Sequence, residues 1–381
     1  MPGCSQINDA VKPIIKYMIM DKKVGVGLIG AGFIGSIHAD SFKKINHADI
    51  LAVMSPPPGE ARKFAEKHGI PKHFNELDKM LALEEIDMVI IGVPNHLHCE
   101  ICVKAAEAGK HVVVEKPLCV NLQEADRMIQ ACKKAGVKLM YAEELCFTPK
   151  YVRLKGLLDE GALGKPVLFK QSEKHDGPHA PHFWDVELSG GGVTMDMGCH
   201  AFQFFRWLNG NNPVKSVYAQ MSTSVHTDKT RGDDNGIIIL EFENGVTAIA
   251  EESWTKPGGM DDRAEIHGSE GVAYADVLQG NSIQTYSKKG VGYAVEKAGS
   301  TVGWSYTMYE ENWNYGFPQE MEHFVDCVLN DKEPLVTGED GKAALEIIFA
   351  AYESAGTGKK VMLPFQTDAA RPYDLWKRRN S

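Results

Sequence analysis

Three stretches of this 381-residue chain hold residues whose types and spacing can do chemistry. Residues 189–202 read SGGGVTMDMGCHAF, with three glycines, then Asp196 and, four positions on, His200. An imidazole takes or gives a proton near neutrality. Four residues is about one helical turn, so on a helix the two side chains stand together. As a plain surface pair they would be worth only about 0.2–0.5 kcal/mol. That explains neither the glycines at 190–192, which let a chain approach a ligand closely, nor Gly198, which costs about 1 kcal/mol inside a helix. The spacing predicts one helix over residues 193–210, with Met197, Ala201, Phe204, Phe205 and Leu208 as its core stripe. The second stretch, VVVEKPL, puts Glu115 and Lys116 at the tip of an apolar run. An ammonium there can donate to a substrate hydroxyl or a developing alkoxide; taken alone, a surface pair with Glu115 reads better.

The third stretch, GLIGAGFIGSIHA, contains Gly30, Gly32, Phe33, Ile34 and Gly35 in a GxGxxG pattern between a strand and a helix. In that context the glycines allow a tight turn, close approach to a pyrophosphate and helix–strand packing, with phosphates at the helix N-terminus. The acid expected about twenty residues on, for the ribose, is missing. Ser55 stands there, followed by Pro56, Pro57 and Pro58, with Arg62 the nearest cation. With no basic group to receive a 2′-phosphate, NAD is favoured over NADP. VPNHLH ends another apolar run and offers Pro94, Asn95 and His98 to the cofactor, although His98 also suits an ordinary helix start.

Between strand and glycines lies EKHDGPHAPHFWD, with His175, His179, His182, Trp184 and Asp185. An aromatic ring beside polar groups suits a sugar. The rival readings are a three-histidine metal site and a plain surface loop; with prolines throughout, nothing fixes ligand geometry. No metal is assigned. Cys99 and Cys102 form a CxxC without a second pair, and both fall on a helix's apolar face, so buried free thiols are expected.

These segments need a scaffold. From residue 22, apolar β-branched runs alternate with amphipathic segments through VKLMYAEE, the pattern of a parallel sheet covered on both faces. Beyond it the rhythm changes. Asn244-Gly245 between alternating runs signals a hairpin, and a mostly antiparallel sheet with helices on one face is expected. Residues 280–313 are poorly periodic and read as loops. The fold class is therefore α/β, an N-terminal dinucleotide-binding domain (22–143) plus a C-terminal α+β domain with a large, mostly antiparallel open sheet (144–366). Residues 1–21 read as an extension and 367–381 as a tail.

Net charge of −10 argues against nucleic acid, which needs a basic face. No apolar run is long enough for a bilayer span. Eight scattered cysteines and no signal-peptide pattern point to the cytoplasm. An antiparallel sheet with one uncovered apolar face points to a homo-oligomer, dimer or tetramer.

Taken together, GLIGAGFIGSIHA, VPNHLHCEICVKAAEAGKHVVVEKPL and SGGGVTMDMGCHAF resemble the Gfo/Idh/MocA oxidoreductases, as does the closing GEDGKAALEIIFAAYESAGTGKKVMLP. The resemblance spans residues 22–364. It implies a Rossmann domain plus an open-sheet α/β domain, and NAD(P)-dependent oxidation or reduction of sugars, inositols and related polyols. It also implies Lys116, Asp196 and His200 as the catalytic group, with His200 as general base, Lys116 on the alkoxide, and Asp196 holding a hydroxyl or orienting His200. The family often carries an Arg after the sixth strand; Cys146 lies near that place, and Glu143 or Glu144 is left to face the nicotinamide. Glu115, Lys116 and Glu144 complete the cofactor set; Lys116, His175, His179, His182, Trp184, Asp196 and His200 form the substrate set. Three functions are compatible: a glycoside dehydrogenase acting at C3, including on C-glycosides; an oxidation–elimination glycosidase that retains its NAD; and a non-catalytic sugar- or NAD-sensing regulator.

Overall fold

The computed structural model describes residues 23–278, 283–289, 300–307 and 310–376. The extension expected over residues 1–21 lies outside them. The first sheet is built from β1 (Val24–Ile29), β2 (Ala48–Met54), β3 (Lys72–Phe74), β4 (Met88–Ile91), β5 (His111–Glu115) and β6 (Leu139–Ala142). All pairs are parallel, in the order β3-β2-β1-β4-β5-β6. Helices α1 (Phe33–Phe42), α2 (Glu60–His68), α3 (Leu77–Leu81), α4 (His98–Glu107) and α5 (Leu122–Ala135) make the crossovers. The central strands are buried on both faces; Val112, Val113 and Val114 are fully enclosed. That is why they read as continuous apolar runs. Strand order reverses between β1 and β4, so a crevice opens beyond their carboxyl ends. Gly30–Gly32, Val93–Asn95, Glu115–Lys116 and Glu143–Glu144 all stand at a strand end on this edge.

After α6 (Pro149–Asp159) the second sheet begins with β7 (Pro166–Lys174). Three short helices follow in the connection: α7 (Val186–Ser189), α8 (Val193–Asp196) and α9 (Gly198–Leu208). Then come β8 (Val214–Ser222), β9 (Asn235–Phe242), β10 (Thr247–Ser253), β11 (Asp261–Gly268) and β12 (Val272–Asp276). The order is β12-β11-β7-β10-β9-β8, closed at the far edge by a two-residue strand at Val361–Met362. Only β7 and β10 run parallel. Asn244-Gly245 turns β9 into β10, with Gly245 at φ 86°.

Three expectations are corrected. The helix over 193–210 is two helices, broken at Met197, and Gly198 starts the second rather than sitting inside one. The glycines at 190–192 face packing neighbours, not a ligand. A Cβ on Gly191 would lie 2.4 Å from the Tyr352 hydroxyl, and one on Gly192 2.0 Å from the Asp233 carbonyl. Within 280–313, strands β13 (Ile283–Ser287) and β14 (Gly303–Thr307) pair antiparallel; residues 290–299 lie outside the described ones.

The last helices are α10 (Glu311–Tyr315), α11 (Phe317–Leu329), α12 (Gly338–Thr357) and α13 (Tyr373–Trp376). The segment from 367 is not a free tail through Trp376. Tyr373, Leu375 and Trp376 are buried, and Trp376 meets Tyr352 edge-on at 6.4 Å. No helix among the described residues is long and apolar enough to cross a membrane.

Candidate active site

Gly30 takes φ 115°, and a Cβ there would lie 2.1 Å from the Gly92 carbonyl; one on Gly35 would lie 2.6 Å from the Gly30 carbonyl. The turn is therefore closed to any larger residue. Gly32 differs, since a Cβ on it would meet nothing within 4 Å. It caps α1 with no side-chain bond, and no acid stands in that helix's first turn. The free N–H groups at this end form an anion-binding cradle. A dinucleotide fits this arrangement, with its phosphates on the α1 N-terminus and its reactive end in the cavity beyond.

That cavity, about 310 Å³, lies between the two domains. It gathers Gly32, Phe33, Ile34, Pro94, Asn95, Glu115, Lys116 and Glu144 from the first half, and His175, His179, His182, Asp196 and His200 from the second. Lys116 Nζ donates to Asp196 Oδ1 at 3.0 Å and to the Asp196 carbonyl at 2.9 Å. Burial alone would lower the amine's pKa, but the adjacent carboxylate raises it well above the lysine range. Burial likewise opposes ionisation of Asp196, yet Lys116 brings its pKa down to about 2. Both groups stay charged at neutral pH. Asp196 Oδ2 accepts from Trp254 Nε1 at 3.2 Å.

His200 is not oriented by Asp196. Its Nδ1 lies 2.7 Å from Glu143 Oε1, with Glu144 at 3.6 Å. Burial pushes Glu143 up to about 8 and Glu144 up to about 7, and takes His200 down to about 4. The sequence signal for Glu143 was its place at the β6 tip, but nothing local tied it to an imidazole 57 positions away. Glu115 is held by His38 of α1 at 2.7 Å, a partner the sequence reading missed although it sits three residues after the glycine pattern. Glu143, Cys199 and His200 also place ligand atoms within 4.8 Å of one another. However, the Cys199 thiol donates to the Asp196 carbonyl, and burial pushes its pKa well up, so it stays protonated.

Other expected contacts fall elsewhere. His98 is fully buried outside the cavity, with Nδ1 against the Pro117 and Leu118 carbonyls and Nε2 against that of Val93. It ties two strand tips together rather than touching a cofactor, because its ring starts α4 behind the crevice. Trp184 stands behind the wall, edge-on to Trp254 at 5.3 Å, and so supports the indole that holds Asp196. Ser55 lies at the β2 tip, but its hydroxyl donates to Glu60 Oε2 at 2.9 Å. An acid thus stands beside the β2 tip after all, five residues later at the start of α2. His179 stacks on Phe33 at 5.2 Å, and His182 Nε2 lies 3.4 Å from Asn95 Oδ1, so the histidine segment meets the glycine loop across the cavity.

Comparison with known proteins agrees with the two-domain fold. A family profile described as an oxidoreductase family with an NAD-binding Rossmann fold matches residues 24–143. Its companion, a C-terminal alpha/beta domain of that family, matches residues 155–363. The chain is 30% identical to myo-inositol 2-dehydrogenase of Thermotoga maritima over 340 residues, covering 89% of this chain and 98% of that one. It is 29% identical to the NAD(+) scyllo-inositol 2-dehydrogenase of Bacillus subtilis, covering 93% and 99%. Among solved structures, GenD2 from gentamicin A biosynthesis, in complex with NAD, superposes with a TM-score of 0.86 at 29% identity, covering 91% of this chain and 98% of that one.

Proposed function

Because the chain belongs to the Gfo/Idh/MocA oxidoreductase family, and is an NAD(P)-dependent sugar or polyol dehydrogenase, we propose that it oxidises the C3 hydroxyl of a glucoside, C-glycosides included. The observation that supports oxidation of a hydroxyl is the convergence of Lys116, Asp196 and the Glu143–His200 pair in one cavity beyond the α1 N-terminus. NAD bound there supplies the hydride acceptor. His200 Nε2 takes the hydroxyl proton while Nδ1–H stays on Glu143. The Lys116 amine, fixed by Asp196, donates to the developing alkoxide. The rings of Phe183 and His179 flank the cavity and suit a sugar's C–H face. Incubating the protein with NAD and O-glucosides, C-glucosides and inositols tests the reading. Growth of the NADH absorbance with a glucoside, and a product two mass units lighter, is expected; turnover of inositols alone rejects it. Aglycone release without net NADH would favour the oxidation–elimination alternative.

His200 accepts the proton only when Glu143 is ionised to hold Nδ1–H. Glu143 ionises at about 8, so kcat/KM for oxidation should rise as pH passes about 8 and fall below it. Glu143→Gln keeps a bond to Nδ1 but has no proton to lose, and its pH profile should lose that step. The same step in the variant would refute the pairing.

Glu60, bound to Ser55, sets a carboxylate at the β2 tip, the strand end that meets the ribose in dinucleotide-binding domains, where it would repel a 2′-phosphate. Glu60→Gln should raise the NADP-to-NAD ratio of kcat/KM by about tenfold; an unchanged ratio removes Glu60 from cofactor choice.

The outer face of the second sheet exposes Tyr218, Ile237, Ile239, Val272 and Tyr274. We assign it to a second copy of the chain, and sedimentation as a monomer would contradict this. The seven described cysteines are all free and buried, which suits work in a reducing cytoplasm; recovery only from an extracellular fraction would contradict that.

A further inference from the structure

One wall of the cavity carries carboxyl groups that the mechanism does not use. Glu173, the last residue but one of β7, is 6% exposed and lines the cavity beside His175, Met260 and Tyr315. Its Oε2 has no hydrogen-bond partner. In register with it stand Glu252 on the parallel neighbour β10 and Asp262 on the antiparallel neighbour β11. Residues directly opposite on adjacent strands share a face, roughly 5 Å apart, so three carboxyl groups form one row across the sheet. Glu252 is 1% exposed with both oxygens unpartnered; Asp262 is equally buried and has Oδ2 unpartnered, while Oδ1 takes the Tyr151 hydroxyl and Gln171.

Among the described residues no cation is hydrogen-bonded to this row. The amine acting on Glu173 is Lys116, already committed to Asp196. Lys174, next in β7, points to the opposite face and pairs with Glu251. Like charges opposite one another across strands are destabilising. Burial pushes all three acids upward, Asp262 to about 7, and Asp262 adds to the push on Glu173 and Glu252, so without a counter-charge Glu173 and Glu252 hold protons. The cavity lining as a whole carries four carboxyl groups, on Glu115, Glu144, Glu173 and Asp196, against one lysine. A neutral sugar offers these carboxyl groups no counter-charge, and an acidic sugar adds another acid beside them.

We propose that Glu173, backed by Glu252 and Asp262, is a subsite for a cationic amino group on the substrate, so that the preferred sugar is an amino-substituted glycoside. This rests on the sugar-dehydrogenase reading of the same cavity. When the ammonium enters, Glu173 ionises against it and its proton passes to solvent; no bond to the sugar forms or breaks in this step.

The test uses the NAD-loaded wild-type protein with methyl glucopyranoside, its 2-amino, 4-amino and 6-amino deoxy forms, and methyl glucuronide. At least one amino sugar should exceed the neutral parent in kcat/KM by about tenfold or more, and the glucuronide should fall below it. Calorimetry in two buffers of different ionisation enthalpy should show proton release on binding that amino sugar and none with the parent. Glu173→Gln should collapse the amino-to-neutral ratio, and Glu252→Gln, which leaves the cavity wall intact, should reduce it. Equal affinity and turnover for neutral and amino sugars would overturn the subsite and leave the dehydrogenase standing. Tighter, proton-releasing binding of an amino sugar with no oxidation of any sugar would instead uphold the subsite and count against the reaction.

Discussion

Replacing His200 by alanine is expected to lower kcat by about 10²–10⁴-fold, the usual worth of a positioned general base, with NAD affinity left unchanged. The ring meets the protein through one hydrogen bond, to Glu143, and lies at the cavity wall rather than at the glycine cradle. Its removal opens space without unpairing the charged Lys116–Asp196 couple. It does leave Glu143 buried without its partner. Burial already pushes that acid to about 8, and loss of the imidazole lets it rest protonated, so folding should suffer little. The measurement is steady-state turnover beside NAD titration by fluorescence. Normal turnover, or loss of both turnover and NAD binding, would each remove His200 from the role of base.

Replacing Lys116 by methionine should act on both chemistry and stability. Loss of a donor to the alkoxide should cost about 10²–10³ in kcat. The stability effect comes from Asp196, 2% exposed and left without its cation. Breaking a buried pair from one side costs about 3–5 kcal/mol. The sign follows from the depressed folded pKa of Asp196. Its ionised form adds stability above the ordinary carboxylate range, and that contribution is lost as pH falls through about 2. In the variant the depression disappears, so the deficit should be largest at neutral pH and shrink in acid, where Asp196 protonates. Lys116→Met with Asp196→Asn removes both charges and should recover much of the lost melting temperature while remaining inactive. A double variant no more stable than Lys116→Met would mean the pair is not what holds this wall together.

The histidine segment shows how sequence and structure divide the work. Its composition announced a polar, aromatic surface, and His175, His179 and His182 do reach the cavity. Trp184, equally prominent in the sequence, does not, because its indole is needed against Trp254. The glycines at 190–192 announced close approach, and there is close approach, but to Tyr352 and Asp233. A glycine reports that something comes near and carries no record of what.

The sequence by itself determined the two-domain scaffold and the edge on which chemistry occurs. Strand runs, helix spacing and the GxGxxG turn are local, written within about thirty residues each, and the parallel order then forces ligands to the carboxyl ends of the strands. It also placed Lys116, Asp196 and His200 on segments that could meet. Tertiary structure alone decided who holds whom: Glu143 on His200, His38 on Glu115, Trp254 on Asp196, and the row Glu173, Glu252 and Asp262 across three strands. These are contacts between side chains separated by tens of residues, and burial sets their protonation. Periodicity along a chain encodes which face a residue takes, whereas the partner and the local dielectric exist only once distant strands have docked.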